Sequence, residues 1–587
     1  MRQQANRPWM IAMAWLAGMG AGAGAPAPAR AADAARAPVV MQPQVPSRAQ
    51  ADLPACTDAA WRDEQEVYYK IFVRSFADSN GDHIGDFRGI EQRLPYLQSL
   101  GVTTLLLTPI VPSMYYHNYF ASRFDGVDPA YGSMADFQHL VRALHARGMR
   151  IILDQEIQYI PDDHPWWAQA AGHPESPLSS WILYNGPGNT RPETGFIGDL
   201  RLKTWDGRDI RLAMLNLDSP DVRDYFAGVL RAWLQPRDRA GAKGRVADDG
   251  VDGFRIDHMM DDLDNRGRLR NLVAGFWAPL AAQARAVNPR LVMIAEQADW
   301  SSYGDDLQAR GGIDLVYAFP LRKALVSLDR DAIAAALTAT QARTATGKGQ
   351  LLFVENHDTN RFASEVDGDA RKQRIGAALV TLLKGSPMLY YGQELGMRGR
   401  QLHLPSMSDG NDIPVREALH WGATEVDPGT ATWYRDTGAW WTERYGRDRD
   451  GISVEEQQRN PASLLAHYRR LLALRHARAE LHSGSQCIEP TGQPSVLAVR
   501  RASAASPGKA ASRGLSASLL LVNFSDAPVT LQLPPDGWGT WPAGRRPRDL
   551  LAGDGARNGI LEADAATADG ATVVALAPFA VRLLATP

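Results

Sequence analysis

Cysteine is nearly absent from this sequence: Cys56 and Cys487 are the two in 587 residues. That excludes a cysteine-rich metal or disulfide scaffold and leaves room for one internal bridge at most. An excess of either charge is also missing. Lys and Arg number 63 against 66 Asp and Glu, for a formal net charge of −3. Nothing in that balance calls for nucleic acid or an anionic membrane as partner. Past the N-terminal stretch no apolar run is long enough to cross a bilayer, and no internal repeat is evident. What is present is the balance of a globular protein, 45% hydrophobic and 22% charged. Trp (16) and Tyr (17) are plentiful, which suits both core packing and stacking on the apolar faces of sugar rings. The length asks for two or three domains.

Residues 1–31 read as an export signal. Arg2 and Arg7 precede the apolar, Ala/Gly/Met-rich run Trp9 to Ala25, and Ala29-Arg30-Ala31 offers a small-x-small cleavage site. A membrane anchor is the alternative, though the run is short and glycine-rich for a stable span. Residues 32–60, rich in Ala, Pro and Gln, read as a disordered leader. The expected location is therefore periplasmic or extracellular, with no membrane attachment after cleavage. In that setting Cys56 and Cys487 either pair or remain two buried thiols. No feature fixes an oligomeric state.

Between Val67 and Tyr391, short aliphatic runs alternate with amphipathic helical stretches. Strands are expected at Val67–Phe72, Val102–Thr108, Arg150–Asp154, Val251–Ile256, Leu291–Ala295, Ile313–Tyr317, Gln350–Val354 and Pro387–Tyr391. Continuous apolar strands separated by helices make a parallel sheet buried on both faces. Eight of them predict a (β/α)8 barrel, class α/β, in residues 61–159 and 217–480. The interval from Asp154 to Val251 is too long for a plain connection and reads as a small inserted domain at 160–216. From 481 to 587 short strands separated by Gly, Pro, Asp and Ser predict an antiparallel β-sandwich.

Three acids stand directly after strands, where a barrel gathers its chemistry. Asp257 ends Gly-Phe-Arg-Ile-Asp, Glu296 ends Met-Ile-Ala-Glu, and Asp358 ends Val-Glu-Asn-His-Asp, with Arg255 and His357 beside them. One acid at a strand end is commonly a cap or an ion-pair partner. Three such acids suit glycoside cleavage, which needs an ionised carboxylate and a protonated carboxyl across one bond. Arg255 beside Asp257 would keep that group ionised, while burial and neighbouring charge would keep Glu296 protonated.

In these segments, and in Gly385-Ser-Pro-Met-Leu-Tyr-Tyr-Gly-Gln-Glu394, the sequence resembles the α-amylase family of glycoside hydrolases from about Glu66 to Pro587. The resemblance implies Asp257 as nucleophile, Glu296 as general acid/base and Asp358 as transition-state stabiliser. It also implies Arg255 and His357 as substrate and orientation contacts, and Tyr119 as a platform under the reacting sugar. The expected substrates are α-1,4-glucans or maltooligosaccharides. The chain departs from the pattern after strand three, where Gln158-Tyr159 stands in place of Asn-His; Tyr159 is left as one hydrogen-bond donor to the sugar. The usual calcium site between barrel and inserted domain is therefore in doubt. Met214-Leu215-Asn216 lacks an Asp of the corresponding motif, and Met260 and Asp261 replace basic residues. Phe120 occupies a position that is Asp in exo-acting α-glucosidases, so it either stacks on a further sugar of an open cleft or packs the loop. Two alternatives stand beside the α-amylase reading: an α-glucosidase or glucosyl-transferring enzyme on short substrates, and a catalytically silent sugar-binding module.

Asp78-Ser-Asn80-Gly-Asp82-His-Ile84-Gly-Asp86 spaces oxygen ligands at positions 1, 3, 5 and 9, with a carbonyl from Ile84 at 7. A plain Asp/Asn/Gly turn is the alternative. Because a loop at this place binds calcium in oligo-1,6-glucosidase-like members of the family, the resemblance implies a structural Ca²⁺.

Overall fold

Each of the eight aliphatic runs forms a strand, and the strands close on one another. The computed structural model describes residues 56–57, 61–62, 64–194, 202–235, 249–263, 267–435, 439–503, 516–543, 545–552 and 571–586. The expected export signal and nearly all of the leader lie outside them.

The barrel strands are β1 (Tyr68–Ile71), β2 (Thr104–Leu107), β3 (Arg150–Gln155), β4 (Gly253–Met259), β5 (Val292–Gln297), β6 (Leu315–Tyr317), β7 (Gly349–Leu352) and β8 (Ser386–Tyr390). All neighbours run parallel, and β8 pairs with β1 to complete the ring. Inward side chains fill it: Tyr68, Leu106, Ile152, Val292, Ile294, Leu315, Leu351 and Met388 belong to one buried cluster, as the layered interior of such barrels requires. The outer helices follow their sequence signals. Helix Met134–His145 begins with a capping box between Ser133 and Asp136, worth about 1 kcal/mol. It buries Phe137, Leu140, Val141 and Leu144, a 3–4 spaced stripe, against the barrel.

After β3 the chain makes the inserted region, whose Tyr159–Pro161 pairs antiparallel with Leu212–Met214. The C-terminal part holds β9 (Ser485–Glu489), β10 (Val496–Ala502), β11 (Ala517–Asn523), β12 (Val529–Leu533), β13 (Arg548–Asp549), β14 (Thr572–Leu576) and β15 (Val581–Ala585). Six strands form one antiparallel sheet and β12 pairs with β14 in a second. Leu519, Leu521, Leu531, Leu533, Val574 and Leu576 from both sheets share one core, a sandwich of unequal layers.

The sixth strand of the larger sheet corrects the sequence reading. Cys56–Thr57, expected at the end of a disordered leader, pairs antiparallel with β9, Cys56 facing Cys487. The two cysteines form a disulfide across 431 residues of sequence. Backbone pairing supplies the order that the Ala/Pro-rich composition lacks. Arg475, fully buried, ties the parts together by donating to the carbonyls of Glu64, Thr381, Gly385 and Leu481. Among the described residues no helix is long and apolar enough to cross a membrane.

Candidate active site

The C-terminal ends of the barrel strands converge on Arg255. This guanidinium, fully buried on β4, is the hub of the site. Its Nη1 donates to Asp154 Oδ1 at the end of β3 (2.6 Å) and to Asp257 Oδ1, while Nη2 lies 2.8 Å from Glu296 Oε2 on β5. One planar fork thus spans three carboxyl groups from three adjacent strands. Lys70, buried in the middle of β1, adds a second cation 3.2 Å from Asp154 Oδ2.

The two candidate catalytic carboxyls are driven apart in ionisation. Burial by itself would raise the Asp257 carboxyl, but the cations of His258 and Arg255 outweigh it and hold Asp257 well below the usual carboxylate range. Burial raises Glu296, Arg255 opposes, and the negative charge of Asp257 adds to the rise; the result is pushed up to about 7. Glu296 Oε2 accepts the backbone N–H of His258 at 3.3 Å. An anion and a proton-holding acid therefore flank one guanidinium at neutral pH.

Asp358 follows β7 and is fixed from outside the barrel. Arg416, on a loop beyond β8, reaches Asp358 Oδ1 at 3.1 Å and Asp412 Oδ2 at 2.9 Å, and its Nε donates to the carbonyl of His357. The Tyr119 hydroxyl donates to Asp154 Oδ2 (2.8 Å), so Nε2 of His357, 2.6 Å away, is the donor in their pair. That assignment agrees with a neutral imidazole: burial, then Lys70 and Arg416, hold His357 well below its ordinary range. The rings of Tyr119 and His357 stack with centroids 5.2 Å apart.

The remaining expected contacts are placed differently. Phe120 is buried with Tyr115, Tyr159, Ile210 and Leu212 and meets Tyr115 and His117 edge-on. Its ring packs the loop against the inserted region. The Tyr159 hydroxyl lies 2.7 Å from His258 Nδ1, so its contact is a side chain of the site. Gln158, where the family pattern has Asn, donates its side-chain N–H to the carbonyl of Asp257.

In the loop after β1, Asp78 Oδ1 accepts the N–H groups of Asn80 and Gly81 and Oδ2 that of His83. Asp82 Oδ1 accepts from Ile84, and Asn80 Oδ1 from Asp82. The turn is folded around its own oxygens, and Asn80 and Asp82 are exposed. Asp86 has another task as well: Oδ1 caps helix Phe87–Gln92 through Gly89, and Oδ2 accepts from Ser79.

Sequence reasoning missed Lys70, Glu156, His258 and Arg416. Lys70 left a trace, a charge inside the apolar run Val-Tyr-Tyr-Lys-Ile-Phe. Arg416 left none.

The profile of the α-amylase catalytic domain matches residues 70–484. Alpha-amylase 3 of Dictyoglomus thermophilum is 27% identical over 449 residues, 74% of this chain and 81% of that protein. The trehalose synthase/amylase TreS of Mycolicibacterium smegmatis is 27% identical over 544 residues, 82% of this chain and 87% of that protein. Among solved structures, the α-amylase from H. orenii aligns with a TM-score of 0.67 at 24% identity, covering 90% of this chain and all of that one. At that identity the likeness speaks for the fold.

Proposed function

Since the chain belongs to the α-amylase catalytic-domain family of glycoside hydrolases, we propose that it is a retaining enzyme cleaving internal α-1,4-glucosidic bonds of starch-like glucans and maltooligosaccharides. The observation that carries this reading is the single guanidinium of Arg255 held between Asp257 and Glu296, one carboxyl depressed and the other raised. A bridge of that size favours the close carboxyl spacing of about 5 Å used in retention. Asp257 attacks the anomeric carbon as Glu296 gives its proton to the departing glycosidic oxygen. A covalent glycosyl ester forms, and Glu296, now a carboxylate, takes a proton from the water that cleaves it. Asp358, steadied by Arg416, faces the positive charge that develops on the ring. Tyr119, stacked on His357, forms the floor beneath the reacting sugar.

Catalysis then requires Glu296 protonated and Asp257 ionised. As pH rises through about 7, Glu296 loses its proton and kcat/KM should fall tenfold per unit; the acid limb lies well below the ordinary carboxylate range. A kcat/KM profile on maltotriose that keeps rising through pH 9 would sink the assignment of Glu296.

A second reading, glucosyl transfer on short substrates, draws on the TreS relative, whose name couples synthase and amylase. One assay separates the two. Rapid loss of iodine staining of soluble starch with little free glucose supports endo action. Glucose release or rearrangement of maltose before starch is attacked supports transfer. Inertness on all of these supports the silent sugar-binding module.

The Cys56–Cys487 disulfide supports an exported protein, because such bridges persist in oxidising compartments. The loop after β1 would hold a structural Ca²⁺ through Asp78, Asn80 and Asp82 with the Ile84 carbonyl; two carboxylates and an amide oxygen on one turn suit a hard cation. Asp86 would contribute less, being engaged by Gly89 and Ser79. Asp82→Ala should lower the Tm and remove its dependence on added calcium. A melt that is calcium-independent in the parent protein would exclude the site.

A further inference from the structure

The residue after the candidate nucleophile is in the wrong place for a regular strand. Successive side chains of a strand point to opposite faces, so His258 should face away from Asp257. The pairing of β4 with β5 explains why it does not. Ile256 stands opposite Ala295, but Met259 stands opposite Gln297, so β4 carries one extra residue between them. That is a β-bulge, a device that re-aims a side chain next to a site. At its centre His258 has φ +40°, a conformation that side chains other than glycine adopt at a cost.

The re-aimed imidazole meets the carboxylate. His258 Nδ1 is 2.7 Å from Asp257 Oδ2 and 2.7 Å from the Tyr159 hydroxyl, with Glu156 Oε2 at 3.7 Å. Glu156 and Tyr159 both come from the segment after β3, where this chain departs from the family pattern. The same segment locks the backbone of the bulge: Gln158 donates to the Asp257 carbonyl, and Gln158 N–H is held at 2.6 Å by Glu156 Oε1. Glu156, the departures at 158 and 159 and the histidine at 258 are therefore one interlocked unit.

We infer that His258 is a positioning residue for the proposed nucleophile: the bulge turns its imidazole onto Asp257, where with Tyr159 and Glu156 it holds that carboxylate as an anion in one orientation. The inference rests on the reading of Asp257 as nucleophile. Asp257 Oδ1 is held by Arg255 and Oδ2 by His258, so rotation of the carboxylate breaks a charged contact on either side.

The groups facing His258 include Asp257 from β4, Glu156 and Tyr159 from the segment after β3, and Glu296 from β5. Burial would lower the imidazole, but Asp257, Glu156 and Glu296 outweigh it and raise it well above its ordinary range. Glu156 is raised well above the ordinary carboxyl range by burial, with Asp257 adding to the rise against the pull of His258. The pocket thus contains one imidazolium facing one nucleophilic carboxylate.

The test uses the full mature chain. With His258→Gln, which keeps a hydrogen bond to Asp257 but not the charge, the acid limb of kcat/KM on maltotriose should move up by roughly one to two pH units. kcat near pH 7 should fall at unchanged KM, because the charge that steadies Asp257 is gone. His258→Ala should show the same shift with a further loss in kcat at unchanged KM. An acid limb that stays in place in both variants, whatever the loss of activity, overturns the inference. A second measurement needs neither turnover nor a folded variant beyond assignment: ¹⁵N-histidine labelling of the parent protein, with its 13 histidines. His258 should remain protonated well above pH 7, and a titration at or below the ordinary 6.5 overturns the proposal. If the parent cleaves no α-glucan at all, the substrate reading fails while the imidazole titration still decides the role of His258.

Discussion

Glu296→Gln should lower kcat/KM on soluble starch by on the order of 10³-fold, the range of a positioned general acid and base. The amide keeps the shape of the side chain beside Arg255 but has no proton to give to the glycosidic oxygen. Its second duty fails as well, since it cannot take a proton from water at the glycosyl ester. A maltoside with an activated aryl leaving group needs little help in the first step, so one equivalent of aryl alcohol should appear in a burst, followed by slow turnover. Azide, a nucleophile that needs no base, should restore turnover and yield an α-glycosyl azide. Retention of more than a tenth of parent activity on starch, or no response to azide, would remove Glu296 from the mechanism.

Arg255→Met carries the second large effect, because it strips the shared cation from Asp154, Asp257 and Glu296. Removing one partner of a buried ion pair leaves uncompensated charge and costs about 3–5 kcal/mol. The loss should depend on pH with a definite sign. In the parent, Asp257 is depressed on folding and so adds stability above the unfolded carboxyl range, lost as pH falls. In the variant Glu296, already raised by burial, loses the cation that opposes that rise, while Asp257 keeps His258. The folded form then binds more protons than the unfolded one, and stability falls as pH climbs from about 4 toward neutrality. Urea unfolding at pH 5 and pH 8 should show the larger penalty at pH 8, together with an activity loss of about 10³-fold or more at both. An equal penalty at the two pH values would mean that Arg255 acts through packing.

The barrel was legible in the sequence because its strands are buried on both faces and read as short, mostly apolar runs, several of them followed by an acid. Asp257, Glu296 and Asp358 stood at those ends, and the structure brings Asp257 and Glu296 to one guanidinium and Asp358 to Arg416. What stayed hidden depends on tertiary geometry. Arg416 reaches Asp358 from a loop 58 residues further along, a distance no local pattern encodes. His258 would be placed on the far face by strand alternation, and only a one-residue bulge reverses that. Phe120 was judged by position alone, whereas its fate is set by Ile210 and Leu212 arriving from the inserted region. Cys56–Thr57 lay in a stretch of disordered composition, and its order comes from an edge strand 431 residues away.

That edge pairing has a consequence for the ribosome and whatever receives its product. The earliest described strand finds its partner in β9, behind the whole barrel sequence. A nascent chain therefore carries Cys56 unmatched until nearly all of the polypeptide has emerged. The join at Cys487 is a late act of assembly, and a truncated product ending before β9 would show itself by a thiol still open to alkylation.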